Sequence, residues 1–106
     1  QAKLNDACLE GADLTAAYLI KADLTKANLS GADLTQAVLS EANLSGADLN
    51  GAELTDAFLN GANLKGVHNL TCDQVELAIY DKETIFPDYI TIQWSSNGCC
   101  ECLEEN

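Results

Sequence analysis

Alanine stands at every fifth position from Ala2 to Ala62, and leucine follows two residues behind each alanine from Leu4 to Leu64. These thirteen consecutive A-x-L-x-x units end where Val67 replaces Ala and Asn69 replaces Leu. A helix turns every 3.6 residues and a strand alternates every two, so neither places all of these leucines on one side. On a helix the five-residue spacing would spread Leu around the whole circumference. The chain must instead bend at every unit, with Ala and Leu sharing an inward side.

The other positions of the unit agree with a repeated bend. Gly recurs two residues after Leu at Gly11, Gly31, Gly46, Gly51, Gly61 and Gly66, where a turning backbone needs the conformations that a Cβ disfavours. The residue directly after Leu is mostly Ser, Thr or Asn, whose side chains hydrogen-bond locally to turn backbone and face water readily. A second period lies over the first. The residue before Leu is usually Asp or Asn, but it is Tyr18, Val38 and Phe58 at intervals of twenty. Four units per coil would stack these three into one apolar stripe, extended by Ile20, and would align Asp13, Asp33 and Glu53 as an acidic stripe on the preceding face.

Units such as Gly11-Ala12-Asp13-Leu14-Thr15, Ala27-Asn28-Leu29-Ser30-Gly31 and Gly46-Ala47-Asp48-Leu49-Asn50 closely resemble the pentapeptide repeat family, whose pattern is A-[DN]-L-x-x. The resemblance spans residues 1–69. It implies an all-β solenoid, a right-handed quadrilateral β-helix of about three coils with Leu and Ala pointing inward. At about 4.8 Å per coil the column would stand roughly 15 Å tall. Leu14, Leu19, Leu24, Leu29, Leu34, Leu39, Leu44, Leu49, Leu54 and Leu59 are the expected core, each worth roughly 1.5–3 kcal/mol when buried. The departures from the pattern at Cys8, Tyr18, Val38, Glu53 and Phe58 fall at an outward-facing position and leave that fold unchanged.

After Asn69 the composition shifts, giving a division into residues 1–69 as the repeat column, 70–94 as a C-terminal cap and 95–106 as an acidic, Cys-rich tail. Thr71-Cys72-Asp73-Gln74 reads as a capping box opening a short helix over roughly 72–80, with Val75, Ala78 and Ile79 as its apolar stripe. Ile85-Phe86-Pro87 and Tyr89 to Trp94 are apolar and strand-compatible. An open solenoid end exposes backbone groups and Leu side chains and needs a cover. The stretch from Ala78 to Pro87 is similar to the tail that follows the repeats in many cyanobacterial family members.

Five cysteines, an odd number, leave at least one thiol unpaired within a monomer. A disulfide from Cys72 to one of Cys99, Cys100 or Cys102 is the preferred reading, followed by free thiols. A metal set of Cys99, Cys100 and Cys102 completed by Cys72 or His68 comes last, because the paired C-x-x-C spacing of structural zinc sites is missing. No other cofactor is called for.

The net charge of −12, from 17 acids against 5 Lys and no Arg, opposes binding to nucleic acid or anionic membranes. No apolar segment is long enough to span a bilayer. A column filled by its own Leu and Ala has no concavity for catalysis. The sole His, His68, accompanies no nucleophile motif, and the sequons at Asn28, Asn43 and Asn69 are by-products of the repeat. Close carboxylates such as Asp33 and Glu53 on adjacent coils could raise one another's pKa.

These observations favour a non-catalytic structural or interaction module, monomeric or weakly dimeric, that binds another protein through Tyr18, Val38, Phe58 and Ile20. Some relatives inhibit DNA gyrase by imitating DNA with an acidic solenoid dimer, so an acidic mimic is the alternative, and a metal or redox role of the cysteines is the third. A start at Gln1 fits a processed or a trimmed chain. With a disulfide, it favours periplasm or thylakoid lumen over cytoplasm.

Overall fold

The computed structural model describes residues 2–95 and 100–105. Parallel bridges join residues twenty apart along the repeats, from Lys3 with Asp23 to Asp48 with His68. One turn of the chain is therefore twenty residues, or four pentapeptides. Each unit uses the same four backbone bonds, as around Val38, where the corner Gln36 N–H donates to Thr55 O in the tier above (2.9 Å). The Val38 N–H donates to Ala17 O one tier below (2.8 Å), and the Leu39 N–H donates to Phe58 O one tier above (2.8 Å). The Ala37 N–H donates to Leu34 O across the corner (2.9 Å).

That corner is a four-residue turn, Leu34 to Ala37, whose third residue, Gln36, has φ of 60°. A left-handed third position is what a type II turn requires. Glycine fills it at Gly31 and Gly46, but Ala16, Lys21, Lys26, Glu41 and Asp56 also adopt it. The ladder overrides their local preference.

Inside the column, Leu and Ala from Ala22 to Leu64 are at most 4% exposed. The first tier differs. Leu4, Leu9 and Leu14 are only partly buried, and Leu19 is 8% exposed. Leu14 is thus not the sealed core residue expected from the repeat, because no tier packs beneath it.

The ladder does not stop with the repeats. Phe58 pairs with Ile79, and Asn63 with Ile85. Ala78-Ile79-Tyr80 takes the place of an A-x-L unit, as does Thr84-Ile85-Phe86. Thr84, buried where Ala would stand, donates its hydroxyl to Leu59 O (2.8 Å). Helix α1, Cys72–Leu77, sits between Asn69 and these units, and its capping box is present: Gln74 N–H donates to Thr71 Oγ1, and Thr71 N–H to Gln74 Oε1.

The helix is shorter than the expected 72–80. Ala78 is already extended, at φ −92° and ψ 166°, because Ile79 exchanges two hydrogen bonds with the tier below, its N–H with Ala57 O and its carbonyl with Leu59 N–H. Ile79 therefore belongs to the column's outer face and not to a helical stripe.

Side chains from this region meet carbonyls of the last repeats. Gln74 Nε2 donates to Leu49 O (2.8 Å) and Ala52 O (2.9 Å), and Tyr89 OH donates to Val67 O (2.9 Å). Strand β1, Ile90–Trp94, then pairs antiparallel with β2, Cys100–Glu104. The segment read as a tail thus includes a paired strand. Among the described residues no helix is long and apolar enough to cross a membrane.

Leu34 is fully buried with a tier on either side. An isolated carboxylate there would be desolvated without a partner, at several kcal/mol. Leu34→Asp is expected to abolish the cooperative melt seen by circular dichroism, whereas Leu4→Asp at the open first tier should only lower its midpoint.

Candidate functional site

The outward residue before each Leu has a structural task, which makes its exceptions informative. The N–H of the residue after Leu points away from the inter-coil ladder, and Asp or Asn two positions earlier accepts from it. Thr25 N–H donates to Asp23 Oδ1 (3.0 Å), Ser30 N–H to Asn28 Oδ1 (3.0 Å) and Ser45 N–H to Asn43 Oδ1 (3.0 Å). This is an Asx turn. It explains why the repeat favours Asp and Asn at this position.

One face abandons that device on every tier. Tyr18, Val38 and Phe58 stack through the bridges Tyr18–Val38 and Val38–Phe58, and the Phe58–Ile79 bridge carries the column one tier further. None of the four has a side-chain amide or carboxylate, so the N–H groups of Ile20, Ser40 and Asn60 lose the cap their counterparts enjoy. Tyr18 is 77% exposed, Phe58 38% and Ile79 40%; Val38 and Ile20 are half-buried. Ile85, on the neighbouring face at the top, is also exposed. Four tiers of apolar surface therefore stand where the fold would gain from Asp or Asn.

Ile79 was missed by the sequence reading because its spacing from Phe58 is twenty-one. The surviving signal is the pair of degenerate units, Ala-Ile-Tyr and Thr-Ile-Phe, each with a small residue, an outward Ile and an inward aromatic.

The face preceding the stripe carries Asp13, Asp33 and Glu53, joined by bridges into a ladder. The expectation that such carboxylates raise one another's pKa fails for the aspartates. Asp13 and Asp33, like Asp23, are held below the usual carboxylate value, first by the hydroxyl and then by the N–H of Thr15, Thr35 and Thr25 respectively. At Asp13 these bonds outweigh lost hydration and repulsion from Asp33. Asp13 and Asp33 are ionised at neutral pH.

The cysteines separate into different settings. Cys72 and Cys102 form a disulfide with Cα atoms 5.6 Å apart, tying the first residue of α1 to β2. Both residues are therefore spent as ligands for the suggested metal set. Cys99 lies outside the described residues. His68 is exposed on the column, bridged to Asp48, and among the described residues no group of three His, Cys, Asp or Glu side chains is arranged to hold a metal. Cys8 and Cys100 are free thiols. Cys100 Sγ lies 2.9 Å from Tyr80 OH; burial and this contact push the Tyr80 phenol up to about 12. Tyr80 also meets Phe86 and Trp94 edge-on, at 5.3 and 5.9 Å between ring centres. The groove between α1 and the Asn50–Leu54 corner holds about 300 Å³ and opens widely to solvent.

The pentapeptide-repeat family model matches residues 1–36 and 27–66 with eight repeat copies, and the chain belongs to this family. A pentapeptide repeat protein from Nostoc PCC 7120 is 35% identical, with a TM-score of 0.56 over 82% of this chain and 71% of its own. QnrB1, a plasmid-mediated fluoroquinolone resistance protein, superposes with a TM-score of 0.60 at 22% identity over 74% of this chain. The match covers only 38% of QnrB1's length. A pentapeptide repeat protein from the Arabidopsis thaliana thylakoid lumen superposes at 0.50 with 24% identity, over 91% of this chain and 67% of its own. These likenesses define the fold as a right-handed quadrilateral β-helix. No curated protein matches the chain.

Two outcomes follow from this geometry. Aspartates whose folded pKa is depressed stabilise the fold above their unfolded pKa of about 3.9, and that contribution is lost as pH falls through the lower folded value. The melting temperature should therefore drop as pH falls below about 4. Replacing Asp13, Asp23 and Asp33 together by Asn, which keeps the accepting oxygen, should flatten that drop in acid melts. Reduction of Cys72–Cys102 removes a link across thirty residues, of the kind worth about 3 kcal/mol when it restrains the whole unfolded chain. By hydrogen exchange, the β1 and β2 amides should lose protection on reduction, while the amides of the Ala22 to Leu64 column keep theirs.

Proposed function

We propose that this chain is a non-catalytic protein-interaction module. A column of about three coils, closed at its C-terminal end by residues 70–94 with residues 95–106 beyond, presents Tyr18, Val38 and Phe58, with Ile20 beside them, to a partner protein. One observation carries the reading: on successive tiers of a single face the Asx cap is given up for exposed apolar side chains. Local rules broken without benefit to the fold mark positions held for another purpose. Contiguous apolar surface on an otherwise acidic chain is the form that contact surfaces take. A rigid column filled by its own Leu and Ala side chains suits binding better than catalysis.

The Cys72–Cys102 bridge supports an oxidising compartment, periplasm or thylakoid lumen, over the cytoplasm. The thylakoid-lumen source of one structural neighbour is compatible with this.

The test is retention of proteins from an extract of the encoding organism on three immobilised forms: the unaltered chain, Tyr18→Ser/Phe58→Ser, and Asn28→Asp on the opposite face. A protein held by the first and third but not by the stripe variant is the expected result. The same set on all three would remove the stripe as a contact surface. An acidic mimic of DNA would instead be disabled by Asp33→Asn/Glu53→Gln and untouched by the stripe variant.

A further inference from the structure

The backbone under the stripe narrows what can bind it. On this face the inter-coil amides from Leu19 up to Ile79 already have partners, and only Tyr18 N–H, at the open first tier, lies outside the ladder. Val38 N–H donates to Ala17 O and Phe58 N–H to Ala37 O; Leu19 N–H donates to Val38 O and Leu39 N–H to Phe58 O. Ile79 closes the series in both directions. No continuous strand edge runs up this face, and only the isolated, uncapped N–H groups of Ile20, Ser40 and Asn60 are left, so a strand laid along it could not build a ladder for its own amides. An occupant must bring its backbone already satisfied, as an α-helix does.

The spacing agrees. Successive tiers lie about 4.8 Å apart, and successive turns of a helix rise about 5.4 Å. Four tiers from Tyr18 to Ile79 therefore meet one apolar side chain per turn over roughly three to four turns. An extended chain, with same-side residues roughly 6.6–6.8 Å apart, falls out of step within two.

The charge on both flanks specifies the rest. Asp13, Asp33 and Glu53 line the preceding face, and Asp56 lies at the corner between. On the other side Glu41 occupies the corner, and Asp81 is anchored beside it, accepting from Gly61 N–H at 3.1 Å. Lys21 at the lowest corner and Lys82, next to Asp81 and 5.7 Å over the Trp94 ring, are cations on that flank. A helix seated on the stripe would have an acidic wall on one shoulder and a mixed one carrying Glu41 and Asp81 on the other, which favours Lys or Arg above all on the first and opposes acidic partners. A second copy of this chain does not fit. Its five Lys are dispersed, and its described helix α1 is six residues long with acids at Asp73 and Glu76.

From these features we infer that the face built on Tyr18, Val38, Phe58 and Ile79 docks a basic amphipathic helix of about three to four turns from a different protein, lying along the column axis. This rests on the stripe being the contact surface and adds the form and charge of what covers it.

A labelled synthetic helix of roughly fourteen residues, with Leu on one face and Lys on the flanks, is the probe, titrated by fluorescence anisotropy against the full chain. Tyr18→Ser/Phe58→Ser should weaken binding at least about tenfold, as loss of a buried aromatic does. Ile79→Ser, a separate replacement at the top tier, should weaken it by a few-fold. Asp33→Asn/Glu53→Gln should weaken binding about threefold and reduce its salt dependence. Circular dichroism melts establish that each variant is folded.

A peptide of the same composition with Leu and Lys alternating, and one with Glu in place of Lys, should each bind at least about tenfold more weakly. Equal binding of the alternating peptide would overturn the helix, and binding indifferent to both stripe replacements would overturn the docking face. Stripe-dependent retention from the extract without stripe-dependent binding of the helical probe would reject the helical occupant and leave the contact surface standing. Failure of both would reject both.

Discussion

Each tier of this column is fastened to the next by main-chain hydrogen bonds that recur in the same register every twenty residues, and that register governs everything else. A single inserted residue within a coil would carry an inward Leu to the outside and leave its tier unpaired. The unit length is therefore rigidly kept through the repeats, and the inward positions are confined to Leu and Ala, which fill the bore completely. The same register forces side chains as unlike as Lys21, Gln36 and Asp56 into a left-handed corner, a conformation that disfavours L-residues by roughly 1–2 kcal/mol. The inter-coil bonds and the Leu stack exceed that penalty at every corner.

Because the fold is secured from within, the outer faces are nearly free of structural duty. The exception is the position before Leu, whose Asp or Asn oxygen serves the turn that follows. This gives the surface its own grammar. Asn28 and Asn43 satisfy it without charge, and Asp23 and Asp33 satisfy it while remaining ionised. Tyr18, Val38 and Phe58 do not satisfy it at all. Lys3, Cys8, Glu53 and His68 also lack the Asp or Asn but are scattered over the other three faces, so an apolar run on every tier of one face is more informative than the same residues on an irregular surface.

The repeat part of the structure was legible because its physics is local and periodic: the five-residue step reports the bend, and the twenty-residue step reports which side chains stack. The capping box at Thr71 and Gln74 was legible for the same reason. Where the period slips, legibility fails. Ile79 and Ile85 follow their partners by twenty-one and twenty-two residues, because α1 and the Asp81–Thr84 turn insert between tiers, so the stripe looked one tier shorter than it is. The cysteine partner was also hidden. Choosing Cys102 over its neighbours depends on the antiparallel register that sets Ile92 opposite Cys102 and Trp94 opposite Cys100, and no local pattern in a Cys-rich segment encodes that. Leu14 was overrated because a repeat gives every copy the same environment, whereas a finite column has an end.

The rigidity that hides nothing inside this chain is what makes its surface useful. A partner meeting four tiers of fixed height encounters side chains whose backbone loses almost no freedom on binding, which removes a large part of the usual entropic penalty of association. In the proposed docking, the apolar stripe would supply affinity without discriminating among greasy partners. The acids beside it would reject those that are acidic. Asp13 and Asp33 are ionised at neutral pH like any carboxylate, and threonine hydroxyls and amides extend that charge to lower pH despite their stacking. The turn chemistry that builds the corners thus also holds the charges beside the stripe, and a selectivity of the proposed kind would follow from how the column folds.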